Sequence, residues 1–263
     1  MNANAKRMTT RQFRALKGER PIVMLTAYDA LFAALADEAG VDCILVGDSV
    51  GNTLLGFETT VPVTLEMMVH HTAAVSRARP RAMVIADLPF GLAFSADGAL
   101  LNACRLLMQV GGADAIKIEG GQNLAPKLAP LIESGVAVIG HIGLQPQSVR
   151  ALGGYRRFGQ EAAERNRLLE DAKALEAAGC FGVLMEMVEP SVAAEITATL
   201  KVPTIGIGCG PKCDGQVLVS TDVLGLSPGK IPSFAKRFTE LREPVREAFT
   251  AYTQAVRERS FPE

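Results

Sequence analysis

Short apolar runs recur along the chain, and most are followed by a longer segment in which apolar residues return every three or four positions. The runs are IVMLTAYD (22–29), CILVGDS (43–49), AMVIADLPF (82–90), AIKIEGG (115–121), AVIGHIGL (137–144), GVLMEMV (182–188) and PTIGIG (203–208), with a weaker eighth in QVLVSTDVLGL (216–226). Near-continuous Val, Ile and Leu predict strands of a parallel sheet buried on both faces. Between them ALFAALADEAG, VTLEMMVHHTAAVSRA, DGALLNACRLLMQVGG and AERNRLLEDAKALEAAG carry helical periodicity, several ending in the glycine that closes a helix. Repeated strand, loop and helix, with no linker dividing the chain, predict an α/β fold, one (β/α)8 TIM barrel over residues 1–263, rather than an open doubly wound sheet. Such a barrel takes about 250 residues. TTRQFRALKGER (9–20) predicts a short leading helix, and FAKRFTELREPVREAFTAYTQAVRERS (234–260) closing helices. Two long connections follow strand ends: GNTLLGFETTVPVT (51–64) and GLQPQSVRALGGYRRFGQEAAERN (143–166), the second long enough to include a lid over the barrel mouth.

Composition narrows the partners. With 48% apolar and 21% charged residues the chain can bury a large core. Its 27 basic and 28 acidic residues leave a formal charge of −1, no footprint for nucleic acid or a membrane surface, so small molecules are the expected partners. MNANAKRMTTRQF lacks the apolar run of a secretory signal, and nothing approaches the ~18 apolar residues of a membrane span. Five cysteines, Cys43, Cys104, Cys180, Cys209 and Cys213, odd in number and scattered through apolar stretches, suit reduced thiols in the cytoplasm. Cys209 and Cys213 have no second pair at zinc spacing.

Polar residues that interrupt the predicted strands near their C-terminal ends are the candidates for chemistry: Tyr28 and Asp29, Asp48 and Ser49, Asp87, Lys117 and Glu119, His141, and Glu186. Barrel enzymes gather function at that end. Lys117 and Glu119 stand two apart and share one face of their strand. A mutual ion pair would account for that strand alone; a shared substrate and metal accounts for it as well. Four carboxylates at matching places in four repeats are harder to explain as helix caps. Crowded together, Asp48, Asp87 and Glu119 would raise one another's pKa unless a cation neutralised them, and all-oxygen ligation suits Mg²⁺. Glu186, in VLMEMVE, has the apolar setting that lifts a carboxylate toward the range of a general base near neutral pH. Taken alone, His141 reads as a satisfied structural histidine, and His70 and His71 lie in a helical pattern without a role. GIGCG (206–210) does not match G-x-G-x-x-G, so no dinucleotide site is expected there.

VMLTAYD, ILVGDSVG, VPVTLEMMVHHTAAV, ADLPF, IKIEGG, GHIGLQPQSV, GGY, PTIGIG, CDGQVLV and IPSFAKRF, spread from Thr10 to Phe238, resemble the 3-methyl-2-oxobutanoate (ketopantoate) hydroxymethyltransferase family. The resemblance implies a (β/α)8 barrel, a homodecamer in bacterial members, one Mg²⁺ per subunit, and 5,10-methylenetetrahydrofolate as co-substrate. By residue it implies Asp48, Asp87 and Glu119 as metal ligands, and Asp48, Ser49, Asp87 and Lys117 as contacts to the 2-oxo acid. It implies Glu186 as the catalytic base and His141 near the reacting groups; Tyr28 is a further supporting candidate by its place at a strand end. The implied reaction passes through a Mg-stabilised enolate of 3-methyl-2-oxobutanoate to 2-dehydropantoate (ketopantoate) and tetrahydrofolate, on the route to pantothenate and coenzyme A. Arg156 and Arg157 are candidates for contact with the acidic tail of the folate. GLAF (91–94) and GCGPKCDG (208–215) depart from the family's pattern near the barrel mouth. The competing reading is a Mg-dependent lyase or mutase of the phosphoenolpyruvate mutase and isocitrate lyase type acting on a 2-oxo acid. Such an enzyme is expected to carry a cysteine-bearing catalytic loop, for which this chain has no match.

Overall fold

A computed structural model describes residues 7–227 and 231–262. Residues 1–6 of the leading stretch lie outside the described residues. Eight short parallel strands pair in sequence order into a closed barrel: β1 (Ile22–Thr26), β2 (Cys43–Val46), β3 (Met83–Asp87), β4 (Ala115–Glu119), β5 (Val138–Gly143), β6 (Gly182–Glu186), β7 (Thr204–Ile207) and β8 (Gly215–Leu218). The fold is the expected (β/α)8 TIM barrel. Helix α1 (Thr10–Ala15) precedes it, and α2 (Ala30–Glu38), α3 (Leu65–Arg77), α4 (Asp97–Arg105), α5 (Ala125–Glu133), α6 (Ala162–Ala177) and α7 (Pro190–Thr199) follow β1 to β6 in turn. Local chemistry starts several of these helices. Thr9 and Gln12 form a reciprocal capping box at α1. Asp29 and Thr64 cap α2 and α3 by accepting the N–H groups of Phe32 and Met67.

Residues 208–214 join β7 to β8 without a helix, because Gly208 and Gly210 take φ of +67° and +77° and Pro211 follows, a path no helix continues through. One segment differs from the sequence expectation. In the tail, residues 231–241 are not helical and the long helix, α8 (Arg242–Arg257), begins only there. Pro244 accounts for this, since a proline is tolerated in a first turn but would break a helix running through from residue 234.

The chain divides into two compact units, Met1–Val217 and Leu218–Glu263. The second holds the helical turn Ser220–Val223 and α8, and within it the N–H groups of Phe238 and Leu241 donate to the carbonyls of Val223 and Leu224. Helix α8 buries none of its residues.

Strand alternation sorts the barrel's side chains into two layers. Met83 and Ile85, Ala115, Ile139 and Leu184 pack together inside it, whereas Val84, Ile116 and Ile118 join the core beneath the surrounding helices. Two residues beyond the inner layer, the same rows continue with Asp87, Lys117, His141 and Glu186. The other end is closed by the leading segment. Phe13 of α1 is fully buried, edge-on to Phe181 with ring centroids 5.2 Å apart. Three bases of this segment meet three aspartates, each standing just before a strand: Arg7 with Asp114, Lys17 with Asp214 and Arg20 with Asp42. Each aspartate also accepts a backbone N–H, from Val84, Thr204 and Val23 respectively.

Candidate active site

Strand register brings the predicted residues together. Asp87 lies beside Lys117, Glu119 beside His141, and Gly143 beside Glu186. The Lys117 ammonium stands 3.2 Å from Asp87 Oδ1 and 3.1 Å from His141 Nδ1. Its ion pair therefore runs across strands to Asp87 and not along β4 to Glu119. An ammonium can only donate, so His141 Nδ1 accepts and the imidazole proton sits on Nε2. That nitrogen faces Glu186 Oε2 at 3.5 Å. Burial, reinforced by the charge of Lys117, pushes the His141 pKa well below its ordinary value, so the ring is neutral.

The other candidates come from β1, β2 and the connection after β5. Asp48 donates its backbone N–H to Asp87 Oδ2 at 3.0 Å, and its Oδ2 accepts from Gln147 Nε2 at 2.8 Å. Ser49 Oγ and the buried Tyr28 hydroxyl are hydrogen-bonded at 2.9 Å. The carbonyl of Tyr28 is in turn held by His71 Nδ1 at 2.8 Å, which gives His71 a structural role. Asp29, capping α2, is structural too.

The carboxylates are held in proton-binding states unlike those of exposed acids. Burial, then the charge of Asp87, pushes Asp48 up to about 7. Burial pushes Glu186 up to about 8, with Lys117 opposing and Asp48 and Asp87 adding. Glu119 is raised well above its ordinary value, and Asp87 is raised although Lys117 works against the shift; burial leads in both. For Lys117 burial acts downward, but Asp87, Glu119 and Asp48 outweigh it and strengthen the ammonium's hold on its proton. A buried set of four acids around one lysine is short of positive charge.

The donor set fits a hard divalent cation. Glu119 Oε1 is buried without a hydrogen-bond partner, and Asp87 Oδ1 has only the charge contact to Lys117. Among the described residues no three His, Cys, Asp or Glu side chains close into a ready cage. Mg²⁺ does not require one, since it binds through one or two carboxylates and fills its shell with water and substrate oxygen.

Comparison with known proteins decides the family. The model of the ketopantoate hydroxymethyltransferase family matches residues 7–263. This chain belongs to the ketopantoate hydroxymethyltransferase family. A 3-methyl-2-oxobutanoate hydroxymethyltransferase of Roseiflexus sp. (strain RS-1) is 52% identical over 257 residues, 98% of this chain and 92% of the relative. Its counterpart in Thermus thermophilus is 50% identical over 256 residues, 97% of each chain. Solved structures share the fold at low identity. Phosphoenolpyruvate phosphomutase from Streptomyces platensis subsp. rosaceus superposes with a TM-score of 0.64 at 15% identity, covering 95% of this chain and 88% of that one. Phosphonopyruvate hydrolase, in complex with oxalate and Mg⁺⁺, gives 0.63 at 16% identity with the same coverage.

In this member of the ketopantoate hydroxymethyltransferase family, the two arginines expected at the folate tail are engaged within the chain. Arg156 pairs with Glu164 and lies 3.9 Å over the Phe158 ring; Arg157 donates to the carbonyls of Val188 and Gly208. Two residues at the site escape a charge-based reading of the sequence. Gln147, uncharged in a polar connection, touches both Asp48 and Glu119. Tyr155 is exposed on the connection after β5, and its partial burial with the charges of Glu186 and Asp48 raises its pKa. Its only sequence signal is the GGY stretch of the family resemblance.

Proposed function

We propose that this chain transfers a hydroxymethyl group from 5,10-methylenetetrahydrofolate to 3-methyl-2-oxobutanoate, giving ketopantoate and tetrahydrofolate in pantothenate biosynthesis. The family sets the class of reaction. The observation that carries the residue assignments is the inward row in which Glu186, its pKa pushed up to about 8, faces the Nε2–H of a neutral His141 backed by Lys117.

The C3 proton of the substrate must leave before a carbon–carbon bond can form. Glu186 in its ionised form takes it, a role that contributes roughly 10² to 10⁴ in rate and works best when the base's pKa lies near the working pH. His141, unable to compete for the proton while its pKa is depressed, presents a buried Nε2 without a hydrogen-bond partner 3.5 Å from the Glu186 carboxylate. Lys117 sets a fixed positive charge toward the 2-oxo acid, and Asp48, Ser49 and Asp87 hold the acid in place, with Tyr28 steadying Ser49. Mg²⁺ held by Asp48, Asp87 and Glu119 would supply Lewis-acid polarisation of the 2-oxo oxygen, worth several kcal/mol. The electron pair released at C3 forms the new bond to the methylene carbon of the folate. Both carbon–nitrogen bonds of that methylene bridge break in the overall reaction, and water supplies the hydroxyl group.

The same reading takes the enzyme as a cytoplasmic homo-oligomer, a decamer by family resemblance. All five thiols are unpaired, and among the described residues no helix is long and apolar enough to cross a membrane. Light scattering on the purified chain tests the oligomer. The activity is tested by incubating the chain with both substrates and Mg²⁺. Ketopantoate is the expected product, and its absence with Mg²⁺ or any other divalent ion overturns the reading. In deuterium oxide, Glu186→Gln should slow exchange of the C3 proton by about 10² or more while the 2-oxo acid still binds. Unchanged exchange removes Glu186 from the role of base.

A further inference from the structure

Gln147 sits on the single 3-10 turn Pro146–Ser148, at the start of the long connection that leaves β5. It is buried, and both hydrogens of its amide are used: Nε2 donates to Asp48 Oδ2 at 2.8 Å and to the Leu88 carbonyl at 2.9 Å. Its backbone N–H donates to Glu119 Oε2 at 3.2 Å. One neutral residue thus touches carboxylates at the ends of β2 and β4 and the chain leaving β3. Neutrality matters here. A lysine in this place would compete with a cation for the acids, and a carboxylate would repel them; an amide orients both while leaving their negative charge intact. Asp87, the third acid, is fixed separately by the Asp48 N–H and by Lys117.

The connection itself is held to the barrel at few points. Leu144 N–H donates to the Glu186 carbonyl at its near end, and Arg157 and Phe158 anchor its far end to the residues after β6 and β7. Between these, Gln147 joins the connection to the acid cluster. We propose that Gln147 is a positioning residue for the divalent cation, and that cation binding orders the segment 144–152 through it. The proposal rests on the reading of Asp48, Asp87 and Glu119 as the cation's ligands.

The test is a calorimetric titration of Mg²⁺ into the full chain with no organic substrate, on wild type, Asp87→Asn and Gln147→Met. Methionine keeps the length of the side chain and removes both donors. Loss of a residue that orients metal ligands typically weakens binding about 10- to 100-fold, and that is the expected change for Gln147→Met. Coupling is reciprocal, so saturating Mg²⁺ should slow amide hydrogen exchange across 145–152 in the wild type by a similar factor, and should not do so in the variant. Wild-type affinity retained by Gln147→Met, even with a lower Tm, overturns the proposal while a weakened Asp87→Asn leaves the ligand reading standing. No titration in the wild type overturns both. Should Gln147→Met fail to fold, wild-type exchange decides alone: rates in 145–152 that are indifferent to Mg²⁺ overturn the proposal.

Discussion

Replacing Glu186 by glutamine should stabilise the metal-free protein at alkaline pH while removing the proposed base. The folded state holds the Glu186 proton up to about pH 8, whereas in the unfolded chain it is lost near the ordinary 4.5. Between those values the folded state binds more protons than the unfolded one, so the wild type loses stability as pH rises through this window. The variant has no proton to lose there. At about 1.4 kcal/mol per pH unit the full difference is roughly 5 kcal/mol, reached above pH 8 and absent below pH 4.5. Solvent reaching a side chain that is 16% exposed, and proton uptake by Asp48 in its place, lower this ceiling to about 2–4 kcal/mol. Urea unfolding of both proteins in chelator at pH 5, 7 and 9 measures it. A gap that widens with pH supports a buried, proton-holding Glu186. A gap that stays constant, or closes toward pH 9, refutes the placement and removes the physical basis for its role as base.

Other substitutions probe the rest of the barrel. Asp87→Asn should weaken Mg²⁺ binding; an unaltered titration would mean that Asp87 is not a ligand. Gly143 takes φ of +90°, and a Cβ there would collide with the Glu186 carbonyl, so Gly143→Ala should cost about 3 kcal/mol or more and abolish C3 exchange. A wild-type Tm in that variant would contradict the close approach of β5 and β6. Asp42→Asn should cost about 1–3 kcal/mol at pH 7 with kcat unchanged. Burial tends to raise the Asp42 pKa, but the Arg20 hydrogen bonds and charge and the Val23 N–H lower it below its ordinary 3.8, so this contribution is present above 3.8. It is lost as pH falls through the depressed pKa, and the gap between Asp42→Asn and wild type should close there.

How much of this is legible in the chain depends on which interactions are local. Period-two alternation is local, so AIKIE already places Lys117 and Glu119 on one face, and the apolar runs already mark eight strands. The partner of Lys117 is a matter of register between β3 and β4, and a strand read alone offers Glu119 where the barrel supplies Asp87. Gln147 is hidden for a related reason. Its role comes from two carboxylates about 30 and 100 residues away along the chain, and an amide carries no charge to mark it out. The short, helix-free join between β7 and β8 is legible in GCGPKCD, where two glycines and a proline leave no helical path.

The two ends of the barrel use the same residue type in opposite ways, and the contrast bears on which acids serve function. At the closed end Asp42, Asp114 and Asp214 each accept a backbone N–H and meet a base from residues 7–20, and the Asp42 pKa is lowered. Such acids hold strands together, and Phe13 packed on Phe181 closes that end without any of the candidate site residues. At the other end Asp48, Asp87, Glu119 and Glu186 share one lysine and are all raised. If those four were there for stability alone, apolar residues of similar size would serve better, because buried charge without matching partners costs more than it returns. Their presence at the strand ends fits the proposed ligand set, which brings positive charge with it, and the proposed base, which must hold its proton loosely enough to exchange it near neutral pH.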